Sequence, residues 1–311
     1  MRCSVKNRRS TLSRANVSKQ QKRDLKNILS SAPFLTPYLF FFALFGVIPL
    51  LLSIGISFFD WDFYTEAEFV GFKNYQLLFD FQSLTGGRFW SAVKNTLLFV
   101  VIQAPILIVL PLLIALLLHN CKKLKGLFRG IIYFPAVLSI STVCIIWFFI
   151  FDTNTGILNQ LLEKNIPWIT KLPFAWISIF ILSSWWGIGG NMVLYLAGLT
   201  GVPRELTEAA RLDGANEIQV FFNVTLPSMR NTLVYVAIMT VLSTFNVFGQ
   251  PYMLTAGGPN RGTTVAIMEI NNTAFGAYDF GMATAMSIIL GIIMMVATVP
   301  SYILQKRGME E

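Results

Sequence analysis

Charge is scarce in this chain. Asp, Glu, Lys and Arg make up only 13% of its 311 residues, against roughly 25% in an average soluble domain. That shortfall leaves too few ionic groups to wet a globular protein of this length. Histidine is scarcer still: His119 is the single copy, at the polar end of an apolar run. No Ser/His/Asp or Cys/His catalytic set assembles around one histidine without other support. Cysteine is limited to Cys3, Cys121 and Cys144, scattered and odd in number, so neither a disulfide framework nor a metal site is supported. No cleavable signal peptide is visible, because the first thirty residues are polar and basic and the first apolar run is of full spanning length.

What is present is apolar: 54% of the residues are hydrophobic. Six runs without any Lys, Arg, Asp or Glu stand out, at about 34–58, 95–118, 131–151, 174–198, 232–253 and 281–304. Each exceeds the ~18 residues that separate a membrane span from a buried core helix. A spanning backbone must satisfy its own polar groups, so the expected fold class is an all-α integral membrane protein with six transmembrane helices. Basic residues set its orientation. Eighteen of the 24 Lys and Arg residues fall in the N-terminal tail, in the loops after the second and fourth runs, and in the C-terminal tail. Both termini are therefore expected in the cytoplasm of a multi-pass cell-membrane protein. The expected divisions are a basic tail at 1–33, a six-span domain at 34–304 with a cytoplasmic loop at 201–230, and a short tail at 305–311. The net charge of +8 reflects this asymmetry. The basic tail lacks interleaved aromatics and abuts the first run, so a membrane-facing role outweighs nucleic-acid binding.

The segments between the runs carry patterns of their own. DWDFY and FVGFKNYQLLFD, within 60–88, and TNTGILNQLLEKNIPW, from 153, suit short external helices at the headgroups. Gly257–Thr264, GGPNRGTT, has the glycine spacing of a phosphate loop. Thr263 stands where the lysine is required, and no strand-to-helix context surrounds it, so it does not bind ATP by that device.

Inside the runs, two polar clusters draw the eye. The fourth holds Trp185-Trp186-Gly187-Ile188-Gly189-Gly190-Asn191. Its glycines either let neighbouring helices pack closely or mark an opened helix whose freed backbone lines a polar cavity; the residues favour neither. The fifth holds Ser243-Thr244-Phe245-Asn246, an amide in hydrocarbon that must find a partner, either a neighbouring helix or a hydroxyl-rich ligand. Gln103, near Pro105 and Pro111, reads as structural. No Lys, Arg, Asp or Glu lies in any run, which argues against an ion- or proton-driven carrier and suggests a neutral solute, or an anion held only by dipoles.

The loop after the fourth run reads EAARLDGANEIQVFFNVTLP over Glu208–Pro227. Pro203 suits a helix start, Glu205 suits the dipole of its first turn, and Gly214 suits the position after its end. A second short helix carries Ile218, Phe221, Phe222 and Thr225, with Leu226-Pro227 ending it. Acids outnumber bases here, so an anionic inner leaflet is a poor surface for it. A helix this short needs a protein to dock against.

Glu208-Ala209-Ala210, three residues, Gly214, nine residues, then Val224-x-Leu226-Pro227 resembles the EAA loop of ABC importer permeases, with valine where isoleucine is commoner. FVGFKNY at Phe69–Tyr75, LYLAGLTGVP at Leu194–Pro203 and LTAGGPNRGTT at Leu254–Thr264 resemble the sugar-importer, maltose-permease-like branch, in a six-span form without the extra N-terminal spans and large external domain of the maltose permease. The resemblance covers about 34–307. It implies a type I ABC importer fold, a non-enzymatic subunit that binds no cofactor itself, and ATP with Mg on two cytosolic ATPase partners. It also implies a second homologous permease and an extracellular or periplasmic solute-binding protein that delivers a sugar. The membrane would be that of a bacterium or archaeon. Glycerol phosphate is the alternative solute, and a self-contained carrier the weaker alternative mechanism. Carried onto matching positions, the family's coupling role falls on Glu208, Ala209, Ala210, Asp213, Gly214, Leu226 and Pro227. Its sugar site falls on Trp186, Gly187, Gly190, Asn191, Phe245 and Asn246, with glycine at 190 where the maltose subunit has an aromatic.

Overall fold

A computed structural model describes residues 33–62, 64–121 and 123–307. The basic tail and residues 308–311 lie outside the described residues. Residues up to Ile56 and those from Ser57 onward form two separate compact units. In the first unit the described part is one apolar helix, α1 (Pro33–Ile56). It is interrupted by a π turn at Ala43–Val47.

The second unit opens with a feature that an all-helical expectation omits. Two short antiparallel strands, β1 (Phe59–Asp60) and β2 (Glu68–Phe69), pair Phe59 with Phe69. The turn between them is held by Asp62, whose Oδ1 accepts from Tyr64 N, Thr65 N and Thr65 Oγ1 at 2.8–2.9 Å. The same Asp-x-x-Thr device recurs at Asp152, which accepts from Asn154 N, Thr155 N and Thr155 Oγ1. In both turns the threonine amide is the main reason that the carboxyl titrates below its usual range.

Helix α2 (Lys73–Phe79) leads into α3 (Leu84–Asn120), which starts well before the charge-free run because Ser83 Oγ caps it by accepting from Gly86 N. Helix α3 continues through Pro105 and Pro111. Its main neighbour is α7 (Phe174–Thr200).

The third apolar run is not one helix. It divides into α4 (Lys125–Val137) and α5 (Ile140–Ile150), bent by 99° at the break. The break is where Ser139 turns extended and caps α5 through Thr142 N. A serine cap outcompetes helical continuation there because its hydroxyl meets an amide that the helix cannot. The short external helix expected after Thr153 is α6 (Ile157–Leu162).

The fifth run also divides, into α11 (Arg230–Phe245) and α12 (Gly249–Thr255), bent by 41°. Between α7 and α11 lie α8 (Arg204–Leu212), α9 (Glu217–Val220) and α10 (Leu226–Ser228). Then follow α13 (Ala266–Asn271) and the long α14 (Phe280–Arg307). Among the described residues there are thus four continuous helices long and apolar enough to cross a membrane, and six spans if each bent pair counts as one.

Three apolar clusters hold the second unit together. One joins Phe99, Ile179 and Leu182 to Val143, Val247 and Met268. Another packs Leu78 and Phe89 on Met282 and Met286. A third, around Tyr195, Met192 and Met229, lies toward the loop carrying Glu208. The glycine-rich loop before α13 is pinned rather than loose. Trp176 Nε1 donates to Gly262 O, Asn95 Nδ2 donates to Thr264 O, and Arg261 pairs with the buried Glu269.

Candidate functional site: a cavity at two helix breaks

In the fourth span the sequence leaves an opened helix and close packing equally open, and the structure decides for packing. Helix α7 runs unbroken from Phe174 to Thr200. Its glycines are used for close approach. A Cβ on Gly189 would lie 2.6 Å from Ile132 O and 2.8 Å from Tyr133 Cα, and one on Gly187 would lie 3.0 Å from Leu107 Cδ2. These two positions therefore bring α4 and α3 against α7, as small residues do between membrane helices. A Cβ on Gly190 would meet nothing within 4 Å.

Asn191 has a specific task in this packing. Pro111 has no amide hydrogen, so the carbonyl one turn earlier, Leu107 O, loses its helical donor. Asn191 Nδ2 supplies the replacement at 2.7 Å and also reaches Thr240 Oγ1 at 2.9 Å. One side chain thus ties α7 to α3 and α11.

The openings occur in the other two bent spans, and both face one cavity of about 460 Å³. Ile140, the first residue after the α4–α5 break, lines it. So do Asn246, Val247 and Phe248, the three residues between α11 and α12. Non-helical backbone at membrane depth is tolerated where it borders such a cavity. Trp186 lines it too, and its Nε1 donates to Leu138 O at the α4–α5 break, meeting a carbonyl left over at a helix end. Gly187 completes the wall beside Leu107. Of the six expected sugar-site residues, the structure thus brings Trp186, Gly187 and Asn246 together at the cavity. Phe245 is buried at 1% exposure, and Gly190 and Asn191 lie outside the lining.

Asn246 donates to Leu242 O at 2.8 Å, which leaves its carbonyl oxygen as the available acceptor. Aromatic surface comes from Phe99, Trp186 and Phe248, and further hydroxyl and amide groups from Ser243 and Gln250. Among the polar lining residues, Gln103 carries a structural reading in the sequence and Ser183 no signal of its own. Among the described residues no Asp, Glu, Lys or Arg lines the cavity.

A second cleft, of about 510 Å³, opens beside α8. His119, Arg204, Thr207, Glu208, Arg211 and Glu217 are among its walls. Helix α8 ends in a paired closure: Ala215 N donates to Ala210 O and Gly214 N to Arg211 O, with Gly214 at φ +87°. That is the arrangement a glycine after a helix end permits. Helix α9 then starts with a reciprocal cap, Asn216 Oδ1 accepting from Gln219 N and Gln219 Oε1 from Asn216 N. Arg211 spans both helices to Glu217 at 3.0 Å. Glu208 has no ion pair among the described residues.

Leu226-Pro227 does not end this segment. A π turn at Phe221–Thr225 carries it onward, with Leu226 N bonded five residues back to Phe221 O, and the helical path breaks later, at Met229. The wider turn accommodates the proline ring where an α-helical turn would crowd it.

A multi-pass helical bundle, an uncharged cavity at two helix breaks and an outlying capped helix are the features of a membrane transport protein. The chain belongs to the binding-protein-dependent transport system inner membrane components, whose family model matches residues 107–307. It is 34% identical over 268 residues to the multiple sugar-binding transport system permease protein MsmF of Streptococcus mutans, covering 85% of this chain and 90% of that one. It is 32% identical over 289 residues to the "Probable ABC transporter permease protein YurN" of Bacillus subtilis, covering 88% and 97%. Its fold matches a chain of a bacterial ABC transporter involved in the import of the acidic polysaccharide alginate, with a TM-score of 0.76, 23% identity and coverage of 93% and 99%. The fold is that of a type I ABC importer permease.

Proposed function

We propose that this chain is the transmembrane subunit of an ATP-driven importer that passes a sugar or oligosaccharide, delivered by an extracellular solute-binding protein, into the cytoplasm. The observation that carries the reading is the cavity at the two helix breaks: aromatic faces, hydroxyls and amides without charge. Aromatic rings stack on the apolar faces of a sugar, and amides match its hydroxyls. The sugar-transport role of MsmF supports the same solute class. Trp186, Gly187 and Asn246 contact the solute, while Gly190, Asn191 and Phe245 act one layer behind.

The chain works beside a second homologous permease and two cytosolic ATPases, which hold ATP and Mg; it binds no cofactor and catalyses no reaction of its own. Helix α8 docks on an ATPase. Glu208 is the charge left for a basic partner, and Ala209, Ala210, Asp213 and Gly214 form the close-fitting end. Leu226 and Pro227 carry the motion into α11. Both termini lie in the cytoplasm, by the distribution of Lys and Arg.

Purification of the tagged chain from its native membrane tests this. A second permease and an ATPase are expected to come down with it, and the reconstituted complex to take up a neutral sugar only with ATP. A chain that purifies alone and still transports would overturn the reading.

A further inference from the structure

Two polar atoms on the inner wall of the cavity have nothing to bond. Gln103 donates its Nε2 to Ser184 Oγ at 3.0 Å, which fixes the amide, but its Oε1 is buried without a partner. Ser183, on the facing helix α7, has a buried Oγ with no partner. Gln103 is 0% and Ser183 4% exposed, so water does not reach either atom in this conformation. A buried donor or acceptor left unpaired is costly, and native interiors rarely tolerate it without a reason. Here an acceptor on α3 and a hydroxyl on α7 share one cavity wall. The same cavity is bounded by the two helix breaks, at Ile140 and at Asn246–Phe248, where changes in bend would shift the wall.

We propose that Gln103 and Ser183 are a hydroxyl-binding pair of the transport path, closed off in this conformation and opened when the helix breaks change their bend. A sugar hydroxyl donates to Gln103 Oε1 and accepts from Ser183 Oγ. The inference rests on the sugar reading above and narrows it to an uncharged solute unit at this position, because the wall offers no cation to a carboxylate or phosphate.

Removing an unpaired polar atom without changing shape costs a fold nothing. Ser183→Ala should therefore leave thermal stability and assembly unchanged or improved, whereas Gln103→Met also gives up the bond to Ser184 Oγ and should lower thermal stability slightly with assembly intact. Uptake by the reconstituted complex is measured with labelled maltotriose, arabinotriose, trigalacturonate and glycerol 3-phosphate. The wild type is expected to move a neutral trisaccharide, and each variant to raise its KM about tenfold. Wild-type uptake of a neutral sugar with unchanged KM in both variants would overturn the pair and leave the sugar reading intact. Uptake of only the acidic sugar or the phosphate would overturn the uncharged-solute inference. Uptake of none would sink the sugar reading instead.

The opening itself is read without any sugar, by labelling Ser183→Cys with a water-soluble thiol reagent. The background carries alanine at Cys3, Cys121 and Cys144. Ser178→Cys is the buried control, since Ser178 already bonds Trp168 O at 2.8 Å. Labelling of Ser183→Cys that rises when the complex is trapped with nucleotide and vanadate, or when nucleotide is withdrawn, supports the proposal. A rate equal to that of Ser178→Cys in every state overturns it.

Discussion

At the scale of single residues, the cluster WWGIGGN separates into distinct tasks. Gly189 is filled by the backbone of α4, whereas Gly190 faces open space. Gly189→Ala should cost about 1–3 kcal/mol through forced separation of α4 and α7. Gly190→Ala should be neutral or stabilising by up to about 1 kcal/mol from helix propensity. Thermal unfolding in detergent compares them, and equal effects would refute the packing assignment. Asn191 and Pro111 form a second test. Asn191→Leu should destabilise by about 1–3 kcal/mol because Leu107 O is then left unpaired. In the double variant with Pro111→Ala, the new alanine amide serves that carbonyl, so part of the loss should return. Strictly additive effects in the cycle would sink this pairing. The sequence marked this cluster as special but left packing and opening balanced, because glycine serves both and only the neighbour's position decides. Gln103 was misread for a related reason: one amide among apolar residues does not reveal whether both of its ends are met.

At the scale of elements, α8 was the most legible part of the chain. Its start, its glycine end and the following short helix all follow from local chemistry that needs no distant contact. Gly214→Ala should lower stability by about 1 kcal/mol, since φ +87° suits glycine alone. Arg211→Ala should shift it by less than about 1 kcal/mol, because both members of its pair are exposed. A larger loss for Arg211→Ala in calorimetry of the purified protein would show that the bridge matters more than the turn. The two helix breaks were not legible as breaks. Both lie inside charge-free runs, so a search for such runs reads straight through them, and Ser139 resembles any other small residue in a span until its hydroxyl is seen capping Thr142 N. The β1–β2 pair was missed because two residues per strand are too few for an alternating pattern.

At the scale of the whole molecule, only 28–33% of the best apolar window of α3, α7 or α14 is buried within the chain. The remaining apolar surface is left for lipid and, in the proposed importer, for a second permease. The division of labour in the proposed importer can be probed through Glu208. Glu208→Lys should leave insertion and assembly intact while ATP hydrolysis continues without uptake; unchanged uptake would remove Glu208 from the coupling contact. The π turn at Phe221–Thr225 adds a consequence for how force reaches the spans. It inserts one residue relative to an α-helical path, and one residue is about 100° of rotation. The π turn therefore sets the rotation of everything before it relative to α10. Deleting Asn223 would restore an α-helical repeat there and turn α8 and α9 by about 100°, with every side chain of the coupling helix still in place. The expected result is an importer that assembles, hydrolyses ATP and moves no solute, a fault of angle rather than of chemistry.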